Sequence, residues 1–180
     1  MIIGENIRLR PLKKSDKDLF FAWRNDLDFV EMALSMRLPK HELLEETWLD
    51  NAMTDISNRH VYFIIEALDS DTPIGFTALT NIDWISRNGA GGIAIMHPDY
   101  RGKGLSTESF RALFDYGFNK LNLHKIWTHV HGGNPASIKM HERLGCTLEG
   151  TLKQHYYWDN AYHDALQYGI LKDHFNQINA

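Results

Sequence analysis

Ile93-Ala94-Ile95-Met96-His97-Pro98-Asp99-Tyr100-Arg101-Gly102-Lys103-Gly104-Leu105-Ser106 is the stretch on which the reading of this chain turns. An aliphatic, strand-like run meets a turn punctuated by Gly102 and Gly104, and a helix opens at once. Phe110, Leu113, Phe114, Gly117, Phe118 and Leu121 follow at the spacing of one buried helix face. The first amides of a helix have no intrahelical acceptor, and the helix dipole adds partial positive charge there. A glycine turn lets such amides approach an anion closely, so the stretch is suited to a diphosphate, with Arg101 and Lys103 adding full charge. Two other phosphate loops are excluded by spacing. Lys103 is followed by Gly104 rather than Ser or Thr, with no glycine five before Gly102, and Thr107 stands where a dinucleotide fingerprint needs its third glycine.

Outward from this stretch, the chain alternates strands and helices. Asn6 to Pro11 reads as a first strand, Ser15-Asp16-Lys17-Asp18 opens a helix through Leu19, Phe20 and Trp23, and Lys40 to Met53 forms a second helix with an acidic face. Val61 to Leu68 and Ile74 to Ile82 form a hairpin, and Asn88-Gly89-Ala90-Gly91-Gly92 leads into the strand at Ile93. Lys125 to His131 is a further strand. Asn134 then caps a helix with Pro135 in its first turn, ending at Gly145. Cys146 to Trp158 and Tyr162 to Leu171 form a final hairpin around Asp159-Asn160-Ala161. The order predicts an α/β (α+β) protein with a mixed sheet, and 180 residues with 43% hydrophobic content suit a single domain over 1–180.

Composition narrows the function. A net charge of −4 argues against a nucleic-acid surface and favours a cationic small molecule, so the expected partners include no nucleic acid. One cysteine, Cys146, rules out a disulfide framework within the chain. No signal-like start and no long apolar run are present, so the expectation is a cytoplasmic protein with no membrane partner.

Arg101-Gly102-Lys103-Gly104-Leu105-Ser106 resembles the acetyl-CoA loop of the GNAT acetyltransferase superfamily, Arg/Gln-x-x-Gly-x-Gly/Ala, departing only at Ser106. The Ile7-Arg8-Leu9-Arg10 start, the stretch from His97 to Leu123, the Asn134 to Gly145 helix and the tail from Glu149-Gly150 resemble the superfamily in the same order. The resemblance implies a GNAT fold: about seven strands splayed at the acetyl-CoA site, with about four helices. It implies that the backbone of Ile93, Ala94, Ile95 and Met96 holds the pantetheine arm. The amides of Arg101, Gly102, Lys103, Gly104, Leu105 and Ser106 would hold the pyrophosphate, and Asn134 with Ser137 would reach the arm from the next helix. Acetyl-CoA is then the co-substrate, with no metal.

The activity so implied is N-acetyl transfer to a primary amine of a small molecule, by direct transfer in a ternary complex. An alkyl amine with a pKa of about 10 is only about one part in a thousand neutral at pH 7, so a general base is useful. The superfamily's usual glutamate aligns with Gly91, which leaves Asp83, His129 and Glu66 as candidate bases. His129 and His131 share one face of their strand, but no third ligand suggests a metal. The superfamily's tyrosine acid aligns with His141, which shares a helical stripe with Asn134 and Ser137 and is the candidate proton donor.

For the acceptor, Trp23-Arg24-Asn25 resembles an element of acetyltransferases acting on nucleotide-linked amino sugars. Trp84 and Tyr157 belong to an aromatic set that suits a sugar ring, a cation or a homodimer contact. The branch resembled also contains spermidine and ribosomal-protein N-terminal acetyltransferases. An amino-sugar nucleotide is placed slightly ahead of a polyamine. The rivals are a protein N-terminal acetyltransferase and a catalytically weak acyl-CoA-binding module, the latter favoured by Gly91.

Overall fold

A computed structural model describes residues 1–27, 30 and 38–179. Eight strands form one sheet in the order β1-β2-β3-β4-β5-β6-β8-β7. They are β1 (Ile2–Ile3), β2 (Ile7–Pro11), β3 (Val61–Ala67), β4 (Pro73–Asp83), β5 (Asn88–Ile95), β6 (Lys125–His131), β7 (Thr147–Trp158) and β8 (Ala161–Leu171). The helices described are α1 (Lys17–Arg24), α2 (Glu42–Met53), α3 (Leu105–Asp115), α4 (Pro135–Arg143) and α5 (Lys172–Ile178). The additions to the expected count are the two-residue β1 and the seven-residue α5. Both are too short to carry a periodic signal.

Side-chain alternation divides the sheet into two faces. On one, Phe110, Leu113 and Phe114 of α3 pack with Ile65, Leu79, Ile126 and Val130 in the main core. On the other, Phe20 of α1 and Leu49 of α2 pack on Ile64, with Trp23, Trp48 and Phe76 against them. Ser15 does not cap α1: residues 14–16 form a 3-10 turn, in which Asp16 accepts from the Lys13 amide at 2.7 Å and from Arg10.

The break in the sheet positions the site. β5 follows β4 antiparallel almost throughout, but pairs with β6 in parallel only at Asn88, Ala90 and the residue between them, opposite Lys125–Trp127. Beyond Ala90 the two strands diverge, leaving one side of Gly91–Ile95 without a ladder partner. Antiparallel pairing resumes across β6, β8 and β7.

Candidate active site

The gap between the diverging strands continues into a cavity of about 280 Å³. Its walls come from three elements. β5 contributes Ile93, Ala94 and Ile95; the turn and the start of α3 contribute Arg101, Gly102, Leu105 and Ser106; α4 contributes Asn134, Ser137 and Met140. Nine of the residues expected to hold the cofactor are thus brought to one cavity.

The turn keeps its shape because Gly102 and Gly104 have φ of +74° and +81°, a region that side-chain-bearing residues rarely adopt. Added Cβ atoms would meet nothing within 4 Å at either position, so the glycines serve backbone conformation and leave open space over the turn. Gly104 caps α3, and its carbonyl accepts the Glu108 amide at 3.2 Å. The amides of Leu105, Ser106 and Thr107 precede that first bond. Open space above unbonded helix-start amides fits a pyrophosphate.

Three expected cofactor residues act differently. The Met96 side chain is buried, while its carbonyl accepts from Arg101 Nη2 at 2.8 Å. Arg101 Nε also donates to the Ile95 carbonyl at 3.2 Å, so its guanidinium ties the turn to the end of β5. Lys103 lies over the Tyr100 ring, 5.1 Å from its centre, facing a second hollow with Glu5, Asn6 and Asp69. Gly104 stands behind the wall as the helix cap.

Asn134 Oδ1 accepts the Ser137 amide at 3.0 Å, which starts α4 and leaves the Asn134 amide hydrogens for another acceptor. One turn on, His141 is only 3% exposed and does not line the cavity. Its Nδ1 donates to the Ser137 carbonyl at 2.7 Å, and Nε2 is buried without a partner. Burial lowers its pKa, with the Ser137 bond opposing, so the imidazole favours its neutral form. This corrects the expectation of a proton donor: the ring sits edge-on to Phe110, centroids 5.5 Å apart, inside the helix packing. Phe110 also explains Gly91, because a Cβ there would come within 3.0 Å of the phenyl ring.

Two candidate bases are also corrected. Asp83 caps the β4–β5 turn, accepting the Ile85 and Ser86 amides at 2.9 and 3.0 Å; the Ser86 bond heads the causes that hold its pKa below the usual carboxylate range. Glu66 is clamped by Arg8 and Arg10 between β2 and β3. His129 remains. Continuing the register Ala90↔Trp127 places it across the gap from Gly92, on the α1/α2 face of the sheet. It is exposed, and its Nε2 lies 3.2 Å from Gln167 Oε1. His131, on the same face, is buried with Nδ1 accepting the Gly133 amide at 3.0 Å. Burial and neighbouring His163 lower its pKa. Among the described residues, no three His, Cys, Asp or Glu side chains form a group that could hold a metal.

The expected sugar site is occupied by internal contacts. Trp23 packs on Phe20 and Phe76. Arg24 lies 4.1 Å over Trp48 and pairs with buried Glu45 at 3.0 Å. Asn25 bridges to both backbone groups of Lys40. These side chains fasten α1 to the approach of α2. Trp84 sits at the β4–β5 turn and donates to the Asn58 carbonyl at 2.9 Å; exposed Tyr157 stacks edgewise on Tyr162 beside the β7–β8 turn. Neither lines the cavity.

A sheet that opens beside a glycine turn and a helix start defines an acyl-CoA-dependent transferase. Residues 6–147 match the model of the acetyltransferase (GNAT) domain, and the chain belongs to that family: it is an N-acetyltransferase using acetyl-CoA. It is 26% identical over 178 residues to spermidine N(1)-acetyltransferase of Escherichia coli K12, covering 96% of this chain and 89% of that one. The Vibrio cholerae enzyme of the same name is 28% identical over 173 residues, covering 96% and 97%. The solved structure of spermidine N-acetyltransferase from Vibrio cholerae, in complex with CoA and spermine, superposes with a TM-score of 0.87 at 26% identity, over 95% of this chain and 98% of that one. Among the described residues no helix is long and apolar enough to cross a membrane.

Proposed function

We propose that this protein transfers the acetyl group of acetyl-CoA directly to a primary amine of a polyamine. The observation that carries the acceptor class is the end-to-end likeness to spermidine acetyltransferases, 96% of this chain in each case. The internal roles of Trp23, Arg24 and Asn25 remove the ground on which an amino-sugar nucleotide was preferred.

In this reading the pantetheine arm lies along Ile93–Ile95 and takes up the ladder bonds that β6 leaves unused. The amides opening α3 hold the pyrophosphate, Arg101 holds the turn in place, and the Asn134 amide donates to the arm. The thioester then lies in the gap between Gly92 and His129. The amine enters from the α1/α2 face, where His129 accepts its proton as the new C–N bond forms. The C–S bond breaks, and the sulfur leaves as thiolate beside Ser137, whose hydroxyl lines the cavity and donates a hydrogen bond to it.

Thiol release from acetyl-CoA, followed across an acceptor panel, tests the proposal. Spermidine and spermine should give saturable release with kcat/KM at least about tenfold above a nucleotide-linked amino sugar or a ribosomal N-terminal peptide. Faster turnover of the sugar or the peptide would overturn the acceptor class. Tight acetyl-CoA binding with no acceptor-dependent release would indicate a binding module.

A further inference from the structure

Resting on the reading of His129 as the base, we infer that Gln167, backed by Glu149, is a positioning residue that turns the His129 imidazole so that Nδ1 meets the acceptor amine. A chain of contacts crosses the sheet from β6 to β7 and back. His129 Nε2 lies 3.2 Å from Gln167 Oε1, Gln167 Nε2 donates to Glu149 Oε2 at 3.4 Å, and Lys125 Nζ pairs with the same oxygen at 2.7 Å. The chemistry of each partner fixes the next. An ionised carboxylate only accepts, so Gln167 must present its NH2 group to Glu149 and its carbonyl to His129. A carbonyl only accepts, so His129 Nε2 carries the proton and Nδ1 carries the lone pair.

Direction follows from strand order. Gln167 lies on β8, one side of β6, and β5 lies on the other. The two ring nitrogens of an imidazole point well over a right angle apart, so with Nε2 held toward β8, Nδ1 faces away from it. No hydrogen-bond partner of Nδ1 is found among the described residues. The packing is built for this arrangement: Glu149 crosses β8 over Gly169, where an added Cβ would come within 2.5 Å of the carboxylate. Trp127, at 5.3 Å between ring centres, packs beside the imidazole. Among the described residues, the titratable groups facing His129 are His155 of β7, at 6.4 Å between rings, Glu149 with Lys125 through Gln167, and His131 on the same strand face. The β5 stretch Gly91–Ile95 brings none.

The test is the pH profile of polyamine acetylation in four variants, with acetyl-CoA affinity and thermal melting as folding controls. His129→Ala should remove the acidic limb. Gln167→Leu should lower kcat roughly 10-fold with KM for acetyl-CoA unchanged, and should cost nothing further in the His129→Ala background. Gln167→Glu still accepts from Nε2 and favours the protonated ring, but it loses the donor to Glu149 and adds a like charge beside it, so it should recover only part of the activity lost in Gln167→Leu and move the acidic limb upward by roughly one pH unit. A merely structural glutamine would lower turnover in the His129→Ala background by the same factor as in the wild type. If His129→Ala removes the limb while Gln167→Glu leaves it in place, the positioning role fails and the base stands. If His129→Ala keeps the wild-type profile, the base reading fails and takes this inference with it.

Discussion

Gly91 and His141 occupy the positions where the superfamily resemblance sets a glutamate and a tyrosine, and Phe110 touches both. Its ring fills the space in front of Gly91 and lies edge-on to His141. Restoring the acid with Gly91→Glu therefore adds a side chain to a filled core. It should lower stability by about 1–3 kcal/mol in a thermal or urea melt, without raising turnover. His141→Phe replaces a neutral buried ring by an apolar one. Turnover should stay within about twofold of wild type with an unmoved pH profile, since the group is off the cavity wall and holds no proton on Nε2. The departure at Gly91 and the stripe through Asn134, Ser137 and His141 were legible in the sequence. The direction of the imidazole was not, because it depends on Phe110 from another helix and Tyr168 from β8, 5.7 Å away.

At the scale of elements, the glycine turn and α3 were legible because both depend on local chemistry: positive φ, helix-start amides and a 3.6-residue period. The residues that complete the site depend on register between distant strands. Gln167 has no local mark, and meets His129 only because β6 and β8 pair antiparallel at those positions. Glu66 shows the same limit. As a sequence it is a free carboxylate on a strand; as an element it joins β2 to β3, with Arg10 passing the link on to Asp16 before α1. Burial resists its ionisation, but bonds from Arg10 and Arg8 outweigh that and lower its pKa. A carboxylate held below its unfolded pKa stabilises the fold above the ordinary carboxylate range, and the contribution disappears as pH falls through the folded value. Glu66→Gln should cost about 1–3 kcal/mol near neutrality, because the charge-assisted bonds from Arg8 and Arg10 are weakened while Arg10 keeps its bidentate pair with Asp16. The wild-type and variant melting temperatures should converge as pH falls below the usual carboxylate range.

At the scale of the whole molecule, the two faces of the sheet divide the work. In the proposed reading, donor contacts come from the turn, α3 and α4 at the open end of the gap, and the acceptor approaches on the α1/α2 face, where His129 stands across from Gly92. Much of the segment between α1 and α2, residues 28–29 and 31–37, lies outside the described residues. The charge of −4 suits a cationic acceptor on either path. Direct transfer requires the donor and acceptor sites to meet at the gap, and a single ligand spanning both makes that measurable. A conjugate in which CoA sulfur is joined through an acetyl linker to spermidine should bind, by calorimetry, at least about 100-fold more tightly than CoA alone, because the second site is then filled without a second encounter. An affinity equal to that of CoA, with the polyamine portion contributing nothing, would contradict the account.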